Sequence, residues 1–388
     1  MHMRKETDDR PGFYEFFCGG GMARLGLGEM WQCLFANDID AGKAAAYREN
    51  FGGAPELVCG DVRTVAGEEL PPGAALAWAS FPCQDLSLAG AGAGLAGGRS
   101  GVFWAFWDLM QALRRDGRHP PIIAIENVAG LVTSHGGGDL AGLAEAMVAG
   151  GYRLGAVLVD GVRFVPQSRP RLFIVAAAQD VPVPAAPQRA APDPAWHAPS
   201  LTNVVDQLPT AVRQGWIWWR LPLPPERTLR LIDVIEDDPR DVCWHAPAQT
   251  EALLAMMAPA HRERVAAAMR AGTRQVGCVY KRTRQGVQRA EVRFDGVSGC
   301  LRTPAGGSSR QTIVEVQGAR VRTRLISARE TARLMGLPDT YRLPARYNDA
   351  YRLTGDGVVV PAAAWVARHL LDPLARQALS TAAVRRAG

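Results

Sequence analysis

Short apolar runs separated by helix-patterned segments set the rhythm of the first half of this chain. The runs are Phe13 to Phe17, Cys33 to Ala36, Leu57 to Cys59, Leu76 to Ser80, Ile122 to Ile125, Gly155 to Val159 and Leu172 to Val175. Helical patterning between them covers roughly residues 22–30, 41–50, 102–115 and 140–149. Alternation of this kind predicts a doubly wound α/β sheet, whose central strands are buried on both faces and read as continuous apolar stretches. The last two runs are joined by a short polar loop with no room for a crossover helix. They are expected to pair antiparallel.

Beyond residue 180 the pattern changes. Prolines recur at 182, 184, 187, 192, 194, 199 and 209, which predicts an inter-domain connection. There follow Trp216, Trp218 and Trp219, an acidic patch at Glu236, Asp237 and Asp238, and then a basic block. From His261 to Arg310 eleven Lys or Arg face three acids, a surplus larger than the +6 carried by the whole chain. Such a run is commonly a solvated face, and its context decides whether it is a phosphate-contacting surface. After about Arg324 helical patterning returns, with Ser327 and Glu330 spaced as a capping box. No internal repeat is found.

At 388 residues and 47% hydrophobic, the chain is long enough for two domains with a substantial core. A pI near 9.1 is a modest sign of an anionic partner. Residues 1–10 are charged and polar and no stretch reads as a membrane span, so a cytoplasmic location is expected. The seven cysteines (18, 33, 59, 83, 243, 278, 300) form an odd set without a C-x-x-C pair. Neither a disulfide framework nor a zinc knuckle is indicated, no metal is expected, and the thiols read as reduced.

Candidate chemistry collects at the carboxyl ends of the predicted strands, where ligands bind in open α/β sheets. Glu15-Phe16-Phe17-Cys18-Gly19-Gly20-Gly21 makes a tight turn before a helix, without the G-x-G-x-x-G spacing of a pyrophosphate site. Asp38 and Asp61 end the next two strands and could accept from ribose hydroxyls; each also reads as an ordinary helix N-cap. Together the three positions favour an adenosine-bearing ligand without pyrophosphate. Cys83 in Phe81-Pro82-Cys83-Gln84 is placed as a nucleophile would be, although a small buried cysteine is an equally good reading of that feature alone. Glu126, in Glu126-Asn127-Val128, ends a strand beside it and is a candidate proton donor or a loop cap. Gln167-Ser168-Arg169-Pro170-Arg171 opens the last strand with two cations that suit anion or carbonyl binding if they line a cleft, and are plain surface charges otherwise.

In this order, the Gly-rich turn, Pro-Cys-Gln, Glu-Asn-Val and Gln-x-Arg-x-Arg resemble the motifs of the DNA (cytosine-5-)-methyltransferases. The resemblance covers almost all of the sheet region and the C-terminal helices and leaves the middle third unmatched. It implies a Rossmann-like S-adenosylmethionine-dependent methyltransferase sheet over residues 1–180, a smaller target-recognition domain over 181–320, and a C-terminal segment, 321–388, returning to the first domain. It further implies S-adenosyl-L-methionine bound by Phe17, Gly19 and Gly21, with Asp38 at the ribose, Asp61 near the adenine and Ile39 on the adenine face. Val62, Pro82, Asp356 and Val358 complete that pocket. Cys83 would be the nucleophile, Glu126 would contact the pyrimidine N3 edge, and Arg169 would hold the pyrimidine carbonyl with Arg171 assisting. Gln84, Ser87, Arg99, Arg282 and Arg284 are the expected DNA contacts, with the Gly-rich stretch Ala89 to Gly98 as a closing loop. Two positions depart from the family pattern: Glu15 stands where Asp is usual, and Asp356 where Asn is usual.

The implied partner is double-stranded DNA, from which a cytosine would be flipped; a restriction endonuclease of the same cell is a candidate partner, and the expected state is a monomer associated with the nucleoid. Two rivals remain at this level. An RNA cytosine methyltransferase would use the same pocket, and a DNA-binding protein could keep the fold without turnover. Methyl transfer assayed on both polymers separates all three.

Overall fold

The computed structural model describes residues 10–82, 101–284, 286–302 and 310–387, with no side-chain description at 284, 386 and 387. Its main sheet has seven strands: β1 (Gly12–Phe16), β2 (Gln32–Asp38), β3 (Leu57–Cys59), β4 (Ala74–Ala79), β5 (Ile122–Val128), β6 (Tyr152–Asp160) and β7 (Pro170–Ala178). They lie in the order β3-β2-β1-β4-β5-β7-β6. The first five are parallel, and β7 runs antiparallel to both β5 and β6, as the short connection requires.

The chain leaves β1 toward β2 and β3, then returns to β4 on the other side. This reversal creates a crevice beyond the carboxyl ends of β1 and β4. Every residue of β1 and β4 is buried, because helices cover both faces of the sheet. The covering helices of this half are α1 (Met22–Leu27), α2 (Ala41–Asn50), α3 (Val102–Arg115) and α4 (Gly138–Ala149). The α3 helix buries Phe103, Trp104, Phe106, Trp107, Met110 and Leu113 along one side, the period expected of an amphipathic helix.

The proline-rich stretch departs from expectation. It packs on the main sheet and contributes core residues, where its prolines predict an inter-domain connection without core elements. Leu158 N donates to Trp196 O (2.8 Å) and Ile217 N to Leu154 O (2.8 Å). The Trp219 indole N–H donates to Val175 O (3.1 Å), and both Trp196 and Trp219 are fully buried. A side chain at Gly155 would strike Ile217 O at 1.8 Å, so close backbone approach demands glycine there. Prolines signal a chain poor in backbone donors; they do not signal lack of burial, which the tryptophans supply here. The stretch also contains β8 (Gln188–Arg189), β9 (Trp218–Trp219), α5 (Pro199–Gln207) and α6 (Thr210–Gln214).

A second sheet follows, built from β10 (Gln275–Arg284), β11 (Val287–Arg293), β12 (Thr312–Gln317) and β13 (Arg320–Leu325) in the order β11-β10-β12-β13. The helices α7 (Leu231–Val234), α8 (Pro247–Ala255) and α9 (Pro259–Arg270) precede it, and Leu253, Met257 and Val265 join Val279, Val292 and Val314 in a core of its own. The chain then returns through α10 (Ala328–Leu334), α11 (Tyr347–Asp356), α12 (Val360–Val366) and α13 (Asp372–Ala387). The run Tyr347–Arg385 has the length and hydropathy of a membrane span, which the sequence reading did not find. With 56% of its apolar window buried inside the fold, it reads as a core element.

Removing the Trp219 indole leaves a large cavity against the main sheet and takes away its hydrogen bond to Val175 O in β7. Trp219→Ala is expected to lower unfolding free energy by about 3–5 kcal/mol, read by chemical denaturation.

Candidate functional site

The turn after β1 is held in an unusual backbone geometry. Phe17 (φ 57°), Gly19 (φ 54°) and Gly21 (φ 75°) all lie in the left-handed region. Gly21 must be glycine twice over, since a Cβ there would also meet Phe51 at 2.2 Å. Gly19 instead faces open space: among the described residues, no heavy atom other than those of its chain neighbours lies within 4 Å of where a Cβ would be. Asp38, at the end of β2, fixes this turn by accepting from Gly19 N (2.8 Å) and from Asp40 N (2.8 Å). The cap of α2 is therefore Asp40, which accepts from Gly42 N and Lys43 N. Asp61 does cap the short helical turn that follows it, accepting from Arg63 N, and it pairs with the Arg63 guanidinium at 3.2 Å. Ile39 leaves 69% of its surface exposed beside Asp38, an unusual position for a large apolar side chain. Val62 and Val358 are buried, and Pro82 is exposed. An open cradle at Gly19, a carboxylate behind it and an uncovered apolar platform at Ile39 fit an adenosine-bearing cofactor.

Glu15 lies beneath the same turn. It is fully buried and accepts from Tyr47 Oη (3.0 Å) and Arg24 N (3.2 Å), tying β1 to α1 and α2. Burial outweighs these bonds and pushes its carboxyl up to about 7. Burial likewise pushes the Cys33 and Cys278 thiols up to about 12 and raises Cys18, so none of these three supplies thiolate at neutral pH.

The second half of the site forms where β4 and β5 end. Asn127 Nδ2 donates to Phe81 O (3.0 Å), pinning the chain just before Pro82. Phe81 in turn packs edge-on against Phe17 at 6.1 Å, so the turn after β1 and the segment leading to position 83 touch. Glu126 is buried, and Arg171 Nε lies 3.1 Å from its Oε1. The antiparallel pairing of β5 with β7 sets this meeting by aligning Val128 with Arg171. Cys83, Gln84, Ser87 and Arg99, with the Gly-rich stretch 89–98, lie outside the described residues.

Arg169 is employed differently from the expectation that it holds a pyrimidine carbonyl. Its guanidinium is fully buried and donates to Leu301 O (2.9 Å), Gly355 O (2.7 Å) and Gly357 O (2.8 Å). Burial, with the charge of Arg171 nearby, pushes its pKa down to about 10, so it stays charged at neutral pH. Gln167 reinforces it, accepting from Leu301 N (3.0 Å) and donating to Leu334 O (2.7 Å). Asn127 and Gln167 anchor the chain around the site, a part that the motif residues alone do not reveal although both sit inside the quoted motifs.

A cavity of about 280 Å³ opens between this segment and the second sheet. Ser168 and Pro170 line one wall, and Tyr280, Lys281, Arg282 and Arg302 line another. Arg282 stacks over Tyr280 at 4.9 Å and lies 3.6 Å from Glu291, with about half its side chain exposed. Arg284 ends β10 and is not described beyond its backbone. Asp356 faces away from this cavity, toward Lys43 of α2 at 2.7 Å.

Comparison with known proteins places this geometry in context. The family model for C-5 cytosine-specific DNA methylase matches residues 12–372. Type II methyltransferase M.NlaX of Neisseria lactamica is 25% identical over 366 residues, covering 92% of this chain and 95% of that protein. M.HhaI of Haemophilus parahaemolyticus is 24% identical over 360 residues, covering 92% and 93%. M.BsuFI of Bacillus subtilis is 30% identical over a shorter stretch of 165 residues, 42% of this chain and 38% of that protein. Among solved structures, the Dnmt2 methyltransferase of S. pombe superposes with a TM-score of 0.57 at 16% identity over 94% of this chain and 99% of that one, a likeness of fold.

The raised carboxyl of Glu15 carries a pH signature. Its folded value lies above the ordinary 4.5, so its ionisation adds no cost to folding below about 4.5 and destabilises progressively as pH rises toward about 7. Glu15→Gln should therefore gain stability relative to the wild type between pH 5 and pH 8, by up to about 3 kcal/mol. Thermal denaturation of both proteins across that window measures the difference, and a gap independent of pH would contradict it.

Proposed function

This chain belongs to the C-5 cytosine-specific DNA methylase family, and from that premise we infer that it methylates C5 of a cytosine flipped out of double-stranded DNA, through a covalent bond between Cys83 and C6. The observation that carries this reading is the Glu126–Arg171 pair, buried at the end of β5 beside the segment that Asn127 pins before Pro82.

Cytosine C5 is a weak nucleophile. Addition of the Cys83 thiolate to C6 turns the ring into an enamine whose C5 can accept an alkyl group. Glu126, hydrogen-bonded to N3 and the amino edge, stabilises the charge pushed into the ring. Arg171 orients Glu126 and, in place of Arg169, is the cation available to the pyrimidine carbonyl. S-adenosyl-L-methionine supplies an electrophilic methyl group on a sulfonium, leaving as S-adenosyl-L-homocysteine. Phe17, Gly19, Gly21 and Asp38 would hold it with Ile39 against the adenine, and Asp61, Val62, Pro82 and Val358 border the same space. Loss of the C5 proton to a base and elimination across C5 and C6 then release Cys83. Such access to both ring faces requires the base to leave the stack, at a cost of a few kcal/mol.

Within the region 181–320, the part beyond residue 221 is assigned to target recognition on the strength of the separate sheet β10–β13 and its basic wall, whereas 181–221 packs on the main sheet. Within it Arg282 and Arg284 are the proposed phosphate contacts, with Gln84, Ser87 and Arg99 contributing from the loop after Cys83. The proposed setting is a protein acting on DNA in the cytoplasm, with a cognate restriction endonuclease as candidate partner.

Duplex DNA carrying 5-fluorocytosine, incubated with S-adenosyl-L-methionine, should trap the wild-type protein covalently, and Cys83→Ala should neither trap nor methylate while still binding S-adenosyl-L-homocysteine. Bisulfite sequencing of DNA from expressing cells reads activity and target site together. Methylation of RNA alone, or turnover by Cys83→Ala, would overturn this reading. Neutralising Arg282 and Arg284 together should lower the slope of log affinity against log salt by about 2, measured by fluorescence anisotropy on duplex DNA.

A further inference from the structure

We propose that two crossed ion pairs between α2 and α11 form a clasp across the rim of the cofactor pocket, with Lys43 and Asp356 as its positioning residues. The inference rests on reading that pocket as the S-adenosyl-L-methionine site. On that reading the two helices belong to opposite walls. The α2 helix begins directly after Asp38, Ile39 and Asp40, and α11 ends directly before Gly357 and Val358.

Lys43 Nζ lies 2.7 Å from Asp356 Oδ2, and Arg352 Nη1 lies 3.0 Å from Asp40 Oδ2. The polarity alternates: α2 supplies the cation of the first pair and the anion of the second. Arg352 also approaches Asp356 at 3.9 Å, so the four charges form one network. Isolated surface pairs contribute little, because water screens them and two long side chains must be ordered. This network escapes part of that limit. The Lys43 side chain is only 16% exposed, and Asp40 is already fixed as the N-cap of α2 through its other oxygen.

The far side of the clasp is equally rigid. The carbonyls flanking Asp356, at Gly355 and Gly357, are both held by the buried Arg169. Arg169 anchors this segment at its base while Lys43 fastens its rim. The arrangement also accounts for an acid at a position where asparagine is usual in the family: an amide can accept a hydrogen bond from Lys43 but cannot attract it by charge. A ligand lying between Ile39 and Val358 must then wait for the pairs to part before it leaves, and salt should hasten that parting.

The test is equilibrium binding and stopped-flow release of S-adenosyl-L-homocysteine at low and high NaCl, with wild type, Lys43→Met, Asp356→Asn and the double variant. Each single substitution is expected to raise Kd about 3- to 10-fold, mainly through faster release, and the double variant should be no weaker than the weaker single. Release from the wild type should quicken with salt and lose much of that dependence in the variants. Strictly additive singles would overturn the clasp by showing that Asp356 acts on the ligand without Lys43. Wild-type release rates in both singles would overturn it as well. A wild-type protein that fails to take up S-adenosyl-L-homocysteine would remove the pocket reading together with the clasp, which distinguishes the two failures.

Discussion

A buried guanidinium joins the parts of this molecule that have to work together. Arg169 has almost no contact with solvent and carries a second arginine two residues away, so its charge would be prohibitive without compensation. Three backbone carbonyls from two distant segments provide that compensation, and Gln167 adds a fourth connection through Leu301. The edge of the proposed recognition region, the segment proposed to cap the cofactor pocket and the strand carrying Arg171 thus meet at a single node. Displacing any one of them would strip a buried charge of part of its hydrogen bonds, which makes their relative placement stiff.

That stiffness gives the smaller contacts their meaning. Asn127 fixes Phe81, Phe81 rests on Phe17, and Phe17 belongs to the strained turn that Asp38 holds in place. Strain of this kind persists only where the surroundings over-determine it, and here the surroundings are two parallel strands and the helix each one feeds. The proposed chemistry needs a methyl donor and a thiol brought to one pyrimidine ring with little freedom. A short chain of contacts between the two loops is a direct way to limit that freedom.

Much of the main sheet was legible because its strands are buried on both faces. All seven expected runs appear as strands, and α2 and α3 begin and end at the expected residues. The antiparallel turn of the last two strands was also legible, since a short loop leaves no other choice. The stretch from 181 to 221 was not. Its prolines speak about backbone donors, whereas its place in the fold is set by Trp196 and Trp219, which bond to Leu158 and Val175, 38 and 44 residues earlier in the chain. Asp61 shows the reverse: its capping bond to Arg63 is local and so was among the readings available from the start.

The sequence by itself determined the order of elements, the strand ends at which polar chemistry gathers, and the motif set that marks the family, because each depends on residues adjacent along the chain. Only the tertiary structure decided how the two arginines of Gln-x-Arg-x-Arg divide their work. Their spacing of two puts both on the same side of an extended chain. Arg171 meets Glu126 across a strand pairing, while Arg169 turns to carbonyls 132 and 186 residues away. The partnership of Lys43 with Asp356, separated by 313 residues, belongs to the same class. Charge can be read along a chain, but the distance between two charges exists only after folding.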